Sequence, residues 1–436
     1  MPESNTQHLN GTLKQTVMLT AYRTLGCILL PVLPIALYIR GKKQVGYRQR
    51  MLERFGFAKC TSDKRSIVIH GASLGEITAL KPIIERCIDS YPDHQIVVTS
   101  FTPAGSAKVL QLFGSKVNHT YLPFDILPCT GLFIQRIQPV LMIFMETEIW
   151  PSLIHQAYDH NIKLALINAR ISDKAYPKYQ KQATLIAPSI RRFSRIICQS
   201  AINKERFISL GAKEEQLSVT GNLKFDSPPV SINDEIKSIH RSTEDRPIWL
   251  IASSHHDEER LLLNSFLLLK KEIPNILCIW APRHIEQFDS VYDICQGASL
   301  KTVRRSKRQI SITDEDVLLI DTIGELAQFY SLATVSTVCG SFNATGGHNP
   351  LEPLLQNSVT TFGPNMANTQ EIVDLLLESK AVFQHTEISE ELVAKEIKNL
   401  LTNRLLQEGF KDAGRTFLTQ HRGSVTETMS VINDIF

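Results

Sequence analysis

The stretch at residues 346–353 combines residue types that suit a bound phosphate, near the C-terminal end of a chain of 436 residues. Its two glycines, Gly346 and Gly347, permit positive φ angles and the close approach of another group. Asn349 is a favourable N-cap and the proline after it suits a first helical turn, so a helix is predicted to begin here. Its unpaired N–H groups would attract an anion, and Glu352 could accept hydrogen bonds from sugar hydroxyls. The stretch predicts a nucleotide site, although an ordinary loop before a capped helix explains the same letters.

Glu76 is a candidate for acid–base chemistry in the first part of the chain. It closes the stretch Gly-Ala-Ser-Leu-Gly-Glu, which directly follows the apolar run at residues 66–70. A tight glycine turn would put Glu76 at or near a helix start, where the dipole favours the ionised carboxylate and the close backbone could admit a substrate. As a general base, Glu76 would deprotonate an attacking hydroxyl. The alternative is a glutamate that only stabilises the first turn of its helix.

Three further charged residues follow apolar runs in the same half. Glu146 and Glu148 follow the run that ends at Met145, and they could bind hydroxyls, fix a lysine or arginine, or act as acid and base. Arg170 follows the next run and could hold a carboxylate or phosphate with two hydrogen bonds. A structural ion pair between Arg170 and either glutamate is the alternative.

The second half offers cations and small polar groups instead. Residues 253–259 read Ser-Ser-His-His-Asp-Glu-Glu, but neighbours at a helix start point in different directions, so a serine-capped helix start is favoured over a metal site. Arg283 could clamp a phosphate or carboxylate. Lys224 lies at the boundary between the halves, and Gly340 and Ser341 end the apolar run before residues 346–353. So many polar groups at the ends of apolar runs indicate more than a structural scaffold.

Short apolar runs rich in β-branched residues precede these candidates. They alternate with helical stretches, and near-continuous apolar runs of this kind are typical of parallel strands covered on both faces. The runs occupy residues 66–73, 95–101, 139–146, 163–170, 195–200 and 217–223 in the first half, and 248–253, 276–282, 317–321, 333–341 and 359–363 in the second. Open parallel sheets bind ligands beyond the carboxyl ends of their strands, which is where the candidates fall.

Two α/β domains are predicted, because the chain exceeds the usual size of a single hydrophobic core. The predicted divisions are a membrane anchor with a basic segment at residues 1–45, a first domain at 46–226, a linker at 227–246 and a second domain at 247–436. Proline, serine and charge interrupt the strand pattern after Phe225 and predict a linker with a short solvated helix. Packing of the final helix against the first domain is left open.

The N-terminus predicts contact with a membrane. Residues 25–39 contain no charged side chain and are followed at once by a cluster of lysines and arginines. The run is short of the roughly 20 residues that span hydrocarbon unless it extends back through residues 17–24, so a span and a shallow anchor both stay open. The basic cluster predicts that the rest of the chain lies on the cytoplasmic side, against anionic lipids. A buried N-terminal helix is the alternative, and a cleaved signal peptide fits poorly.

Composition argues against two other classes of site. A formal net charge of +3 is too small for a general nucleic-acid binder. The cysteines are scattered without a C-x-x-C pair, which argues against zinc and for a reducing, cytosolic setting. They are Cys27, Cys60, Cys87, Cys129, Cys198, Cys278, Cys295 and Cys339.

Seven motifs, in their order along the chain, resemble those of the 3-deoxy-D-manno-octulosonic acid (Kdo) transferases of lipopolysaccharide biosynthesis. They are GASLGE, METEIWP, INARIS, GNLKFD, APRH, GGHNPLEP and FGPN, and the likeness extends over essentially the whole chain. The resemblance implies a GT-B glycosyltransferase with two Rossmann-like, doubly wound domains that face a cleft. Such an enzyme would move Kdo from CMP-Kdo to the tetraacylated lipid A precursor, lipid IVA, at the cytoplasmic face of the inner membrane. It would use no metal and no other cofactor.

The resemblance also implies roles for the candidate residues. Glu76 matches the proposed general base of an inverting reaction, residues 346–352 match the CMP-binding segment, and Arg283 could assist the departing phosphate. The acceptor is assigned to Ser73, Gly75, Glu146, Glu148 and Arg170. The donor is assigned to Lys224, Ser253, Arg283, His284, Gly340, Ser341, Gly346, Gly347, His348, Asn349, Glu352, Asn368 and Glu371.

Some positions depart from the commoner pattern of this family. Leu74 stands where valine is usual, and Asn365 stands where histidine is frequent. Residues 343–345 lack a frequent proline and arginine, so a cation that could contact the donor is absent there. Two alternatives stay open: another GT-B nucleotide-sugar enzyme, such as a lipid-disaccharide synthase or a sugar epimerase, and a membrane-attached nucleotide-binding scaffold that does not catalyse.

Overall fold

The computed structural model describes residues 3–59, 63–307 and 312–436. Cys60 lies outside the described residues, and the other seven cysteines are free thiols. Contacts divide the chain into two units. The first comprises Met1–Ser227 and His421–Phe436, and the second comprises Pro228–Gln420.

The first unit is built on a sheet of seven strands. They are β1 (Ser66–His70), β2 (Gln95–Ser100), β3 (Asn118–Tyr121), β4 (Pro139–Met145), β5 (Lys163–Ala169), β6 (Arg195–Cys198) and β7 (Leu217–Val219). All pairs are parallel, in the order β3-β2-β1-β4-β5-β6-β7. The strand order reverses between β1 and β4, and open α/β sheets bind ligands at such a crossover.

The second unit has the same kind of sheet. Its strands are β8 (Ile248–Ser254), β9 (Leu277–Pro282), β10 (Thr302–Arg304), β11 (Val317–Leu319), β12 (Val335–Val338), β13 (Val359–Phe362) and β14 (Val382–Gln384). They also pair in parallel, in the order β10-β11-β9-β8-β12-β13-β14. The crossover in this sheet lies between β8 and β12.

Helices connect the strands of each sheet. Those before the second sheet are α1 (Glu3–Leu29), α2 (Leu33–Lys43), α3 (Leu74–Ser90), α4 (Pro103–Phe113), α5 (Leu127–Ile137), α6 (Pro151–Asp159), α7 (Tyr176–Lys181), α8 (Ala183–Ile190), α9 (Ala201–Ser209) and α10 (Asp234–Ser242). The later ones are α11 (His256–Glu272), α12 (Phe288–Gly297), α13 (Leu326–Phe329), α14 (Leu351–Leu355), α15 (Gln370–Glu378), α16 (Glu390–Thr402), α17 (Arg404–His421) and α18 (Ser424–Asn433). Short 3₁₀ turns lie at Leu30–Val32, Val45–Arg48, Met51–Phe55, Gly114–Lys116, Glu214–Gln216, Leu223–Asp226, Ile285–Gln287 and Tyr330–Leu332.

Each sheet is covered by apolar side chains on both faces, as its near-continuous apolar strands require. In β1, Val68 belongs to one core cluster while Ile67 and Ile69 belong to the other. The residues of β8 divide between two clusters in the same way. The predicted class, two α/β units with parallel sheets, is confirmed.

The segment predicted to be a linker contains a helix that packs into the second core. Ile236 and Ile239 of α10 are buried in one apolar cluster with Ile248 and Leu250 of β8. The predicted short helix is present, but it is not solvated, because its two isoleucines, three residues apart on one face, are buried. The stretch is therefore part of the second unit's core rather than a solvated connection.

The last helix packs with the first unit. Val425, Met429 and Ile432 of α18 are buried in the same cluster as Ile83 of α3. Asp226 adds a polar contact, because its carboxylate accepts hydrogen bonds from the backbone N–H groups of residues 423 and 425. The C-terminal residues thus belong to the same apolar core of the first unit as α3.

The N-terminal helices form the one candidate membrane span in the described part of the chain. It covers 30 residues, Leu13–Lys42, and only 11% of its apolar window is buried. The helix has the length and composition to cross a membrane, and α1 is longer than the apolar run in the sequence suggests. Tyr22 on α1 donates a hydrogen bond to Asp125 at 2.8 Å, so this helix also contacts the first unit.

Candidate active site

The β1/β4 crossover carries Glu76 in the first turn of α3. Ser73 is the N-cap of that helix: its Oγ accepts a hydrogen bond from Glu76 N at 3.3 Å and donates one to Glu76 Oε1 at 2.7 Å. The other oxygen, Oε2, accepts a hydrogen bond from Ala72 N at 2.8 Å. Glu76 therefore makes the helix-stabilising contacts of the structural alternative, and these contacts hold its carboxylate in one orientation at the strand end.

Two more carboxylates follow β4 and act on the pKa of Glu76. Burial is the largest cause that raises this pKa, and the negative charges of Glu146 and Glu148 raise it further. The hydrogen bonds from Ser73 and Ala72 oppose the rise without cancelling it. A carboxylate with a raised pKa is a better general base near neutral pH.

Glu146 is paired with Lys224. Lys224 Nζ lies 3.0 Å from Glu146 Oε1, and Lys224 follows β7 in the 3₁₀ turn Leu223–Asp226. In this structure a carboxylate of the first unit engages the ammonium group of Lys224, which supplies a positive charge to the group of acidic side chains around Glu76. The assignment of Lys224 to the donor stays a prediction.

A histidine and an aromatic pair outside the predicted set of site residues lie beside Glu148. Trp150 Nε1 donates to Glu148 Oε2 at 2.8 Å, and the Trp150 ring stacks on Phe101 with centroids 5.6 Å apart. Nε2 of the buried His70 lies 3.5 Å from the same carboxylate oxygen, and its Nδ1 lies 2.9 Å from Thr99 Oγ1. A histidine as the last residue of an apolar strand is the signal that could have revealed it.

The backbone at this edge of the sheet adopts unusual conformations. The φ angle is +60° at Glu146 and +51° at Asn168, and non-glycine residues with such angles cluster at functional sites. Arg170 follows β5 directly and is partly buried. Gly75 is exposed, and a Cβ there would meet no atom closer than Ser73 Oγ at 4.0 Å, so the space beside it is open.

The second unit carries its glycine loop at the β8/β12 crossover. Gly340 follows β12 with φ at +71°, and Gly346 and Gly347 have φ angles of +95° and +75°. The predicted positive φ angles are thus confirmed. A Cβ at Gly347 would lie 2.2 Å from Met366 Sδ, so only glycine fits in this turn.

Asn368 shapes the same loop from outside. Its backbone N–H donates to Gly346 O at 2.8 Å, and its Nδ2 donates to Thr345 O at 2.9 Å and to Gly347 O at 3.3 Å. The loop is also closed on itself, because Gly347 N donates to Gly340 O at 2.6 Å. Asn368, assigned to the donor from the sequence, holds the loop in position with its amide nitrogen.

The helix predicted at Asn349 starts later and is shorter than expected. Its N-cap is Pro350, and α14 has only five residues. Asn349 Oδ1 accepts a hydrogen bond from Leu351 N at 3.1 Å, but Asn357, with φ at +61°, ends the helical turn soon after. The helix therefore begins one residue after the predicted position. The phosphate site at this helix start stays a prediction.

Three histidines adjoin the glycine loop. His348 Nε2 lies 2.9 Å from His255 Nε2 with the rings stacked, and the His284 ring lies 5.4 Å from that of His255. Burial, and then the charge of Arg283, lowers the pKa of His348 to about 4. Burial also lowers the pKa of His255. Burial thus favours the neutral form of both rings, and the Nε2–H group of one ring donates a hydrogen bond to Nε2 of the other.

Arg283 is the exposed cation of this site. It follows β9, and its backbone N–H donates to Ser254 O at 3.0 Å. Among the described residues, its guanidinium has no ion-pair or hydrogen-bond partner. Arg283 is thus available to an anionic ligand. The neighbouring strand end is strained, since Ser253 has φ at +59°.

Three other residues assigned to the donor differ in what they offer. Ser341 is fully buried, and its Oγ donates to Val338 O at 2.7 Å and accepts from Gly363 N at 2.8 Å, so its hydroxyl connects the ends of two strands. Glu352 is exposed, and its Oε1 accepts a hydrogen bond from Asn349 Nδ2 at 3.4 Å. Glu371 lies in the first turn of α15.

No group of three or more His, Cys, Asp or Glu side chains in the described ranges could hold a metal ion. His255 contacts His348, and His256 contacts Glu259, so the two adjacent histidines serve different neighbours. A helix does start within residues 253–259, but its N-cap is His255, so the predicted serine cap is wrong. Metal-independent chemistry stays a prediction.

Solved structures share the two-sheet architecture. The chain is similar to a glycosyltransferase from Rickettsia africae, with a TM-score of 0.55 at 12% identity, over 86% of this chain and 99% of that one. It is also similar to UDP-GlcNAc 2-epimerase from Neisseria meningitidis bound to UDP-GlcNAc, with a TM-score of 0.58 at 11% identity, over 85% of this chain and 100% of that one. These likenesses show the fold alone, a GT-B-like pair of Rossmann-like units.

Sequence comparisons identify the family. The family profile described as 3-deoxy-D-manno-octulosonic-acid transferase (kdotransferase) matches residues 49–227. The 3-deoxy-D-manno-octulosonic acid transferase of Haemophilus influenzae is 34% identical over 94% of this chain and 97% of its own length. That of Rickettsia bellii is 30% identical over 96% of this chain and 100% of its own length. The chain therefore belongs to the 3-deoxy-D-manno-octulosonic acid transferases and is a glycosyltransferase.

Proposed function

We propose that this chain transfers Kdo from CMP-Kdo to the tetraacylated lipid A precursor, lipid IVA, by an inverting reaction with Glu76 as the general base. The observation that carries the proposal is the state of the Glu76 carboxylate at the β1/β4 crossover. Hydrogen bonds from Ser73 and Ala72 fix its orientation, while burial and two neighbouring carboxylates raise its pKa. These are the properties of a base that removes a proton from a hydroxyl at near-neutral pH.

In the proposed reaction, Glu76 takes the proton of an acceptor hydroxyl as the hydroxyl oxygen attacks the anomeric carbon of Kdo. The bond from that carbon to the phosphate oxygen of CMP breaks, and its electron pair leaves with CMP. The guanidinium of Arg283 balances the phosphate charge, and the glycines of the loop let the donor approach the backbone closely. The reaction as proposed uses no metal.

We assign the chain to the cytoplasmic face of the inner membrane, where a lipid acceptor would be met. Support comes from the largely unburied helix Leu13–Lys42 and from the lysines and arginines that follow its apolar run. Apolar side chains contact the hydrocarbon and basic side chains contact anionic headgroups in such anchors. Span and shallow anchor both fit these observations.

The test is a transfer assay with the full-length chain in detergent, lipid IVA and CMP-Kdo made in the reaction. Mass spectrometry of the lipid should show the addition of one or more Kdo masses, with or without EDTA. The number of masses gives the number of transfers. If the donor is active and the lipid mass does not change, the proposed donor and acceptor are wrong; binding of CMP without turnover would then favour a scaffold. Conversion of UDP-GlcNAc instead would favour the epimerase alternative.

A further inference from the structure

Glu258 has a carboxylate that the proposed reaction does not use and that is almost completely buried. It is the third residue of α11, and 1% of its surface is exposed. Its Oε2 accepts hydrogen bonds from His255 N at 3.0 Å and from Gly340 N at 2.8 Å, and its Oε1 accepts one from Phe342 N at 2.9 Å. Three N–H groups thus compensate a charge that would otherwise be costly to bury.

These bonds join two separate strands at the β8/β12 crossover. His255 is the N-cap of the helix that follows β8, whereas Gly340 and Phe342 belong to the turn that follows β12. An ordinary capping glutamate would contact only its own helix start. Glu258 goes further, because two of its three bonds are made to a turn more than eighty residues away.

The turn held by Glu258 supports the glycine loop. Gly347 N donates to Gly340 O at 2.6 Å, and His348 N donates to Cys339 O at 3.2 Å. The rings of His255 and His348 form a second connection between the same two segments. Displacement of the turn would therefore move residues 346–348 relative to the start of α11.

We propose that Glu258 is a positioning residue that keeps the glycine loop in the geometry that binds the nucleotide of the donor. The inference rests on the proposed function for the identity of that donor, CMP-Kdo. Glu258 touches neither substrate in this account. Its effect passes through the backbone N–H groups of Gly340 and Phe342, which fix the turn beneath the loop.

The test compares Glu258→Gln with Glu259→Gln. Glu259 is also buried, at 3% exposed, but its carboxylate contacts only His256, at 3.2 Å, among the hydrogen bonds described. Glu258→Gln replaces one acceptor oxygen with an NH₂ group that faces a backbone N–H. The KM for CMP-Kdo should rise roughly ten- to a hundredfold, as the loss of a charged hydrogen-bond acceptor predicts. The KM for the lipid should change by less than about threefold in both variants.

Two further measurements separate this inference from the proposed function. Hydrogen exchange at the amides of Gly340 and Phe342 should accelerate in Glu258→Gln and stay unchanged in Glu259→Gln. Calorimetric titration with CMP should show weaker binding in Glu258→Gln only. If wild type binds CMP and transfers Kdo while the two variants behave alike, the positioning role is refuted. If wild type neither binds CMP nor transfers Kdo, the proposed function fails. The exchange rates still test whether Glu258 holds the turn at Gly340 and Phe342.

Discussion

The two crossovers of this molecule have the same topology and opposite chemistry. At the β1/β4 crossover, three carboxylates lie near one another and burial raises the pKa of Glu76. At the β8/β12 crossover, Arg283 is an exposed cation, whereas the buried carboxylate of Glu258 accepts hydrogen bonds from backbone N–H groups. One edge is suited to accepting a proton and the other to holding an anion. Parallel sheets thus supply the place, and the residues after each strand supply the function.

The largest expected effect tests the proton-accepting edge. Glu76→Gln keeps the size of the side chain but removes the base, so kcat should fall roughly 10²- to 10⁴-fold. Steady-state transfer from CMP-Kdo to lipid measures this loss. Glu85→Gln is the control, because Glu85 lies on the same helix and forms only an exposed pair with Lys81. Wild-type turnover in Glu76→Gln would move the base elsewhere, with Glu146 and Glu148 as the next candidates.

A smaller effect is expected at the anion-holding edge. Arg283→Ala removes the exposed cation, so kcat/KM for CMP-Kdo should fall roughly ten- to a hundredfold. Initial rates measured over a range of CMP-Kdo concentrations give kcat/KM for each variant. The control is Arg415→Ala, since Arg415 is an exposed arginine of the same unit that pairs with Asp412. Equal effects of the two substitutions would show that Arg283 contributes only general charge.

The largely unburied N-terminal helix distinguishes the first unit from the second in another way. Removal of residues 1 to 40 should lower sedimentation with anionic vesicles severalfold, because it removes the apolar helix. The α/β units should stay folded, since Asp125 keeps its hydrogen bonds from Ser152 N and Leu153 N after losing Tyr22. Removal of residues 1 to 12 is the matched control. Sedimentation of the longer truncation at the wild-type level would assign membrane contact to other surfaces.

The smallest expected effect is a shift in pH dependence. Lys224→Met leaves Glu146 unpaired beside Glu76, so the pKa of Glu76 should rise further. Because the base must be unprotonated, the acidic limb of kcat/KM should move to higher pH, by roughly half a unit to one unit. Lys204→Met, which breaks an exposed pair with Glu214, is the control. A limb that stays in place would mean that Glu76 does not set it.

Strong periodic signals in the sequence predicted most of the fold. The strands that escaped notice, β3, β10 and β14, have three or four residues and lie at sheet edges, where one side of the strand has no neighbour to demand an apolar run. Helix α10 was expected to be solvated because its surroundings resemble a linker, whereas its two isoleucines pack into the core of the second unit. Local pattern therefore reveals central elements better than edges.

The sites divide in the same way between what local sequence can and cannot reveal. The capping contacts of Glu76 and the positive φ of the glycines depend on neighbours in sequence, so they were predictable. The Lys224–Glu146 pair, the His255–His348 contact and the bonds of Glu258 join residues far apart in the chain. Only the strand order brings such residues together, and the strand order cannot be read from any one motif.

The central claim is that the first unit supplies the base and the second holds the nucleotide. The most direct test measures Kdo transfer and CMP binding in the same preparations of wild type, Glu76→Gln and Arg283→Ala. The account predicts a crossed result: Glu76→Gln binds CMP as wild type does but does not transfer Kdo, whereas Arg283→Ala binds CMP weakly. Loss of CMP binding in Glu76→Gln, or wild-type transfer by that variant, would contradict it.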